Sequence, residues 1–221
     1  GLDMAKDKGE TVAFTCMYAN NLRILAKLVK EMPEDKISIL QDIVDLLEED
    51  ADLNAFFNRV AETSFMKAEI RRDTLANRLK SLADKRIAFI QKDAFRDQRF
   101  LGYFDNEGKP AEATEDLSLT AQTMALLNLV ATSEQANTLA VTTKDKLFDP
   151  AIGGYRLNTD YKRIMMNLGR AFGFAYGHKE NGAVFAHMVM MYAYGLYQYG
   201  LVRYGHEALQ ALLDRAESDE S

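Results

Sequence analysis

The chain has 221 residues and a formal charge of −6, with a pI near 5.2, an acidity that excludes a basic nucleic-acid-binding surface. At 48% hydrophobic content it can bury a core as one large domain or as part of a larger one, and three prolines with few glycines favour helices. A single cysteine, Cys16, excludes an internal disulfide and, among Phe14, Met17 and Tyr18, reads as a small core residue in a reducing compartment.

The chain opens at Gly1 without an initiator methionine, and its first ten residues, GLDMAKDKGE, read as a loop entered from an upstream segment. No basic, apolar and small-residue succession marks an export signal. Thr11 to Met32 places Phe14, Tyr18, Leu22, Leu25 and Leu28/Val29 at helical spacing, and Pro33 closes that helix or opens the next. Glu34 to Glu49 repeats the pattern with Ile37, Leu40, Ile43/Val44 and Leu47, its acidic side being a solvated face. Met66 to about Phe95 reads as a long helix with one wet side. Arg99 to Phe104 (RFLGYF) is a strand running into a turn at Asn106 to Gly108, a small and peripheral β-hairpin between helices.

Leu117 to Ala131 is strongly apolar and helical, with Gln122 expected to be a satisfied structural group. Ser133 is the expected N-cap of a helix from Glu134 to about Leu147. Pro150, Gly153 and Gly154 break the chain before a short extended piece at Tyr155 to Leu157. Asp160 to Asn181 shows no periodicity and reads as a long loop with at most one helical turn, a type of segment that usually carries function. From Ala183 to Val202 nearly every side chain is apolar or aromatic, the pattern of a helix wrapped on all sides. The length also matches a membrane span, but Gln198, His187 and several tyrosines interrupt it, and the buried helix is preferred. Tyr204 to Ala216 is a last amphipathic helix before a frayed acidic tail, DRAESDES. The pattern is that of an all-α protein with inner and outer helices.

Chemistry concentrates before the central helix. Between Tyr161 and His187 the charged residues are Lys162, Arg163, Arg170, Lys179 and Glu180, a reversal of the overall sign that points to an anionic ligand. His178 and His187 add hydrogen-bonding capacity, and the HKENG segment precedes a helix N-terminus, where free N–H groups attract anions. The competing reading, of equal weight on these residues, makes the cations solvated and His187 a core histidine. His178 and His187 have no metal-ligand spacing around them, and there is no nucleophile elbow or phosphate-binding glycine loop. No metal and no cofactor are expected.

KENGAVFAH at 179–187 resembles the lysine-glutamate-asparagine-glycine to histidine signature of the cellobiose phosphorylase family, glycoside hydrolase family 94, and of the related phosphorylases of β-1,3-glucan oligosaccharides. GGYRLNTDY at 153–161 is similar to the strand and loop leading to that signature, FDNEGKP to a small hairpin between barrel helices, and GLDMAKDKGETVAF to the segment following the family's Trp-Asn-Asp signature. The strongest motif is KENG with a histidine five residues after the glycine.

The resemblance implies an incomplete (α/α)6 barrel, with 1–221 as a single helical domain cut from a larger catalytic barrel. It implies inverting phosphorolysis of β-glucosidic bonds, of the β-1,3-gluco-oligosaccharide or cellobiose type, with release of α-glucose 1-phosphate. Inorganic phosphate is the co-substrate, replacing the activated water of an inverting hydrolase. The general acid is the aspartate of Trp-Asn-Asp, expected upstream of Gly1, so no catalytic residue is assigned here and the isolated chain is expected to be inactive. A phosphate contact expected beyond Ser221 is likewise missing from these residues. His187 matches the phosphate-contacting histidine and Lys179 the lysine that contacts sugar hydroxyls, with Glu180 and Asn181 as further substrate-binding residues of the motif. The expected partners are a β-gluco-oligosaccharide and phosphate, with neither nucleic acid nor membrane, in a cytoplasmic and possible homodimeric parent. The alternatives are a hydrolase on the same barrel, which needs a second carboxylate as base, and a helical sugar- or anion-binding module without chemistry.

Overall fold

The computed structural model describes residues 9–48, 51–61, 65–165 and 169–219; the first eight residues of the family-like opening segment lie outside them. The described residues are mostly helical, 56% in eight helices, with small antiparallel strand pairs, the all-α class with a hairpin that the periodicity predicts. The chain divides into two compact units, one of residues 1–17 and 87–221 and one of residues 18–86.

The second unit departs furthest from the expected helices. Helix α1 (Val12–Lys30) runs into it, but of the expected apolar face only Leu22 and Val29 turn toward its core, while Leu25 and Leu28 are exposed. Strand β2 (Lys36–Leu40) and the short α2 (Gln41–Leu46) stand where one helix was expected. The lysine-isoleucine-serine-isoleucine-leucine run alternates, and Ile37 and Ile39 pack on a core of Ala26, Leu47, Ile70, Leu75 and Leu79. A strand with one covered face satisfies that pattern as well as a helix does. Its partner is β3 (Lys67–Arg71), paired antiparallel from Lys36↔Arg71 to Leu40↔Lys67. The long helix expected from Met66 therefore begins later. It is α4 (Arg72–Phe89), and α3 (Leu53–Ala61) lies between the strands in the sequence.

In the first unit α4 widens into a π-turn at Ile90–Ala94 and leads into a hairpin of β4 (Phe95–Arg96) and β5 (Arg99–Phe100). Asp97 and Gln98 both have positive φ, 50° and 63°, the backbone of a two-residue turn whose twist matches the strands. The expected strand from Arg99 to Phe104 is divided between β5 and a later strand, and it is not peripheral. Arg99 is 1% exposed, and Phe100, Leu101 and Phe104 are buried with it. Gln122 holds this segment inside: its Oε1 accepts the Phe100 N–H at 2.9 Å, and its Nε2 donates to the carbonyls of Phe100 and Ser118 at 2.8 and 2.9 Å. Strand β6 (Tyr103–Phe104) pairs with β1 (Glu10–Thr11) at the start of the described chain. The expected turn lies at Asp105–Lys109, closed by hydrogen bonds of 2.8 and 2.9 Å, with Glu107 to Lys109 exposed, as are Asp97 and Gln98 of the β4–β5 turn.

Helices α5 (Leu119–Leu127), α6 (Ser133–Leu147), α7 (Ala186–Gln198) and α8 (Val202–Asp219) complete this unit. The N-cap of α6 is Thr132 rather than Ser133, in a capping box with Gln135. Helices α5 and α7 meet at Gly195, where a Cβ would lie 2.8 Å from Leu126 Cβ; only glycine permits that approach. Cys16 is buried, and burial pushes its thiol up to about 12, so it is an unreactive core group. Two expectations for the C-terminal part are corrected. Helix α7 buries Val189, Tyr192, Ala193 and Leu196 but exposes Met190 and Tyr194, 51% and 58% accessible, so it is not wrapped on all sides. The acidic tail is helical through Asp219. No helix of the described residues is long and apolar enough to cross a membrane.

Candidate functional site

The site is built on a short extended piece. Strand β8 (Gly154–Tyr155) pairs with β7 (Phe148–Asp149), and the chain continues between two neighbours. On one side Leu119 N–H donates to the Leu157 carbonyl at 2.8 Å and Thr159 N–H to the Leu117 carbonyl at 3.0 Å. The Leu157 N–H donates to the Ala183 carbonyl at 3.0 Å. Residues 157–159 thus tie the entry of α5 to the end of the HKENG loop.

Asn158, 3% exposed, is the clasp. Its Oδ1 accepts the Gly182 N–H, and its Nδ2 donates to Asn181 Oδ1, both at 2.9 Å. Arg156 adds a second fastening: Nη1 donates to the Gly182 carbonyl and Nε to Asp149 Oδ2, both at 2.8 Å, and its guanidinium lies 5.1 Å from the Tyr176 ring centroid. The hydrogen bond from Arg156 is the main reason that the Asp149 carboxyl is held below its usual range. Within the loop Gly177 N–H donates to the Asn181 carbonyl at 2.7 Å and Asn181 N–H to that of His178 at 3.0 Å. The tight bend places Lys179 at φ 48° and Gly182 at φ 80°. A Cβ on Gly182 would run into the Tyr176 ring.

Next to this loop is a cleft of about 250 Å³ whose lining includes Tyr103, Ser118, Asn158, Phe172, Glu180 and His187. Of the four expected site residues the structure brings Glu180 and His187 to it. His187 is exposed in the first turn of α7, its ring 5.5 Å from that of Phe185. Phe185 is the N-cap of α7 and no side chain caps the helix, so its first N–H groups have no intrahelical partner. Lys179 does not line the cleft, and its ammonium sits 4.7 Å from the Phe174 ring centroid. Asn181 is a fastening group: besides accepting from Asn158, it donates Nδ2–H to the Phe174 carbonyl at 2.6 Å. The other expected cations are not gathered here. Lys162 is exposed, Arg163 is paired with the buried Asp116, and the side chain of Arg170 lies outside the described residues. The HKENG segment also stands apart from the helix N-terminus, with residues 183–185 between Gly182 and α7. No group of three His, Cys, Asp or Glu among the described residues is placed to hold a metal.

Among known families, residues 5–200 match the Glycosyl hydrolase 94 superfamily, catalytic domain. The chain belongs to this family. No curated protein matches it. The family match takes in the clasp, the HKENG loop, the cleft and α7, and leaves α8 outside. In this glycosyl hydrolase 94 chain the residues that sequence reasoning missed are those that shape the site: Asn158, Arg156, Tyr103 and Phe172. Asn158 lies in the quoted family segment GGYRLNTDY, and its place directly after the short extended piece Tyr155 to Leu157 is the one available signal. Tyr103 and Phe172 carry no local mark, because distant segments bring them together.

Proposed function

We propose that this chain contributes the glucosyl- and phosphate-binding cleft of an inverting phosphorylase of β-glucosides, of the β-1,3-gluco-oligosaccharide or cellobiose type. The observation that carries the reading is the meeting of Glu180 and His187 at one cleft beside a clasped loop, because sugar hydroxyls and phosphate oxygens call for different groups. The Glu180 carboxylate accepts hydrogen bonds from sugar hydroxyls. His187 donates to a phosphate oxygen, together with the uncapped amides of α7. In the reaction a phosphate oxygen bonds to the anomeric carbon as the glucosidic bond breaks, and the leaving oxygen takes a proton from a general acid. No residue of this chain is assigned as that acid. Lys179, held over Phe174, supplies a flexible ammonium at the mouth of the loop.

The test is the whole encoded protein incubated with laminaribiose or cellobiose, with and without inorganic phosphate. Phosphate-dependent release of α-glucose 1-phosphate is the expected result. Release of free glucose alone at a rate independent of phosphate would replace the reading with a hydrolase. Absence of turnover together with measurable sugar binding would favour a binding module.

A further inference from the structure

One wall of the cleft is aromatic, and its rings close a circuit. Tyr103 is half-buried and lines the cleft. It meets Phe172 edge-on, with centroids 5.7 Å apart and planes at 89°. Phe172 stacks on Tyr161 at 5.5 Å and 16°. The buried Tyr161 donates its hydroxyl hydrogen to Glu112 Oε1 at 3.0 Å, and Glu112 Oε2 accepts the N–H of Gly102 at 2.5 Å. Gly102 is the residue before Tyr103, so the circuit returns to its start.

A buried carboxylate is a costly way to fill space. Glu112 is 7% exposed, and an apolar side chain would fill the volume without that penalty. What an apolar residue lacks is the ability to hold a backbone N–H and a phenol at once, and so to fix the angle between the strand bearing Tyr103 and the ring stack behind it. Aromatic rings recognise sugars by offering a face to the carbon-bound hydrogens of a pyranose, and such contact depends on ring tilt. We propose that Tyr103 is a sugar-contacting residue of the cleft, stacking against one pyranose unit, and that Glu112 and Tyr161 are positioning residues that set its tilt. The inference rests on the sugar-binding reading above and adds a contact group and its support.

The experiment uses the whole encoded protein and measures binding of laminaribiose, cellobiose and inorganic phosphate by calorimetry, with KM for each substrate and a melting temperature for each variant. Tyr103→Ala and the bulkier Tyr103→Leu are expected to weaken disaccharide binding about tenfold, with phosphate binding within about twofold of the parent. Tyr103→Phe keeps the ring and is expected to restore most of the loss. Tyr161→Phe keeps the stack but cuts the tie to Glu112, and is expected to raise the disaccharide KM about threefold while sparing that of phosphate. Equal weakening of sugar and phosphate by Tyr103→Leu, in step with a lowered melting temperature, would reduce the wall to core packing and overturn the inference. Unchanged sugar binding in both Tyr103→Ala and Tyr103→Leu would overturn it while leaving the phosphorylase reading intact. Sugar binding that depends on Tyr103 in a protein without phosphorolysis would sustain the wall and remove the reaction assigned above.

Discussion

At the scale of single residues, the motif KENG divides its labour. Glu180 faces the cleft, Asn181 fastens the loop, Lys179 lies over Phe174, and Gly182 makes the bend possible. His187→Ala is therefore expected to raise the KM for phosphate about tenfold while changing that for the glucan little, since one charge-assisted hydrogen bond is lost. Lys179→Ala is expected to impair glucan use at least as much as phosphate use. Varying each substrate in turn checks both. If phosphate dependence survived His187→Ala unchanged, the histidine would have no part in an anion site. Gly182→Ala adds a side chain where φ is 80° and the Tyr176 ring already stands. It is expected to cost roughly 1–3 kcal/mol in urea unfolding and to weaken glucan binding with it.

At the scale of elements, caps offer a clean comparison. Thr132 accepts the Gln135 N–H at 3.1 Å while the Gln135 side chain accepts the Thr132 N–H at 3.0 Å. Thr132→Ala should cost about 1 kcal/mol, whereas Ser133→Ala should be nearly silent. Equal losses in thermal denaturation would contradict the assignment. The one-residue difference from the expected cap shows what sequence reading resolves and what it does not. Helices α1 and α8 were legible because their apolar residues recur at helical spacing, α5 and α7 as long apolar runs and α6 from the capping residues at its start, and the irregular 160–181 segment was legible by having no periodicity, save that residues 166–168 are not described. Strands β2 and β3 were not, because Ile37, Ile39 and Leu40 fit either period and the partner strand lies beyond α2 and α3. The burial of Phe100 and Leu101 was hidden for a related reason: Gln122, read correctly as a satisfied group, makes its hydrogen bonds to a segment that local pattern leaves at the surface. In the site, the HKENG loop was visible as a motif. Its clasp and aromatic wall depend on contacts between distant segments.

At the scale of the whole molecule, buried and paired carboxylates pull the pH dependence of stability in opposite directions. Hydrogen bonds from Lys144 and Arg203 hold Glu207 below its usual range, and Asp149 is held down by Arg156. Their contributions are present above the ordinary carboxylate range and are lost as pH falls through their depressed values. Glu112 has the reverse sign. Burial raises it above its ordinary 4.5, against the pull of the Gly102 N–H, Arg99 and Tyr161. The folded state therefore binds this proton more tightly than the unfolded chain, and the associated stability is complete below 4.5 and declines as pH rises toward the raised value. Glu112→Gln cannot titrate. The stability of the parent relative to this variant, from urea midpoints across the acid range, is expected to fall with rising pH, and a difference that rose instead would reverse the assignment.

The pairing of β6 with β1 carries a consequence for how the molecule comes into being. The β4–β5 hairpin closes over two residues and can form in microseconds, but Tyr103 and Phe104 wait for Glu10 and Thr11 from the far end of the unit. Closing so long a loop is entropically slow. During synthesis the first strand emerges well before its partner exists, and at two residues it is too short to recruit another chain in the meantime. The strand that carries one wall of the cleft is thus expected to be among the last parts to settle. In refolding from urea, helical signal is expected to return before the proposed sugar binding, and simultaneous recovery of the two would contradict this order.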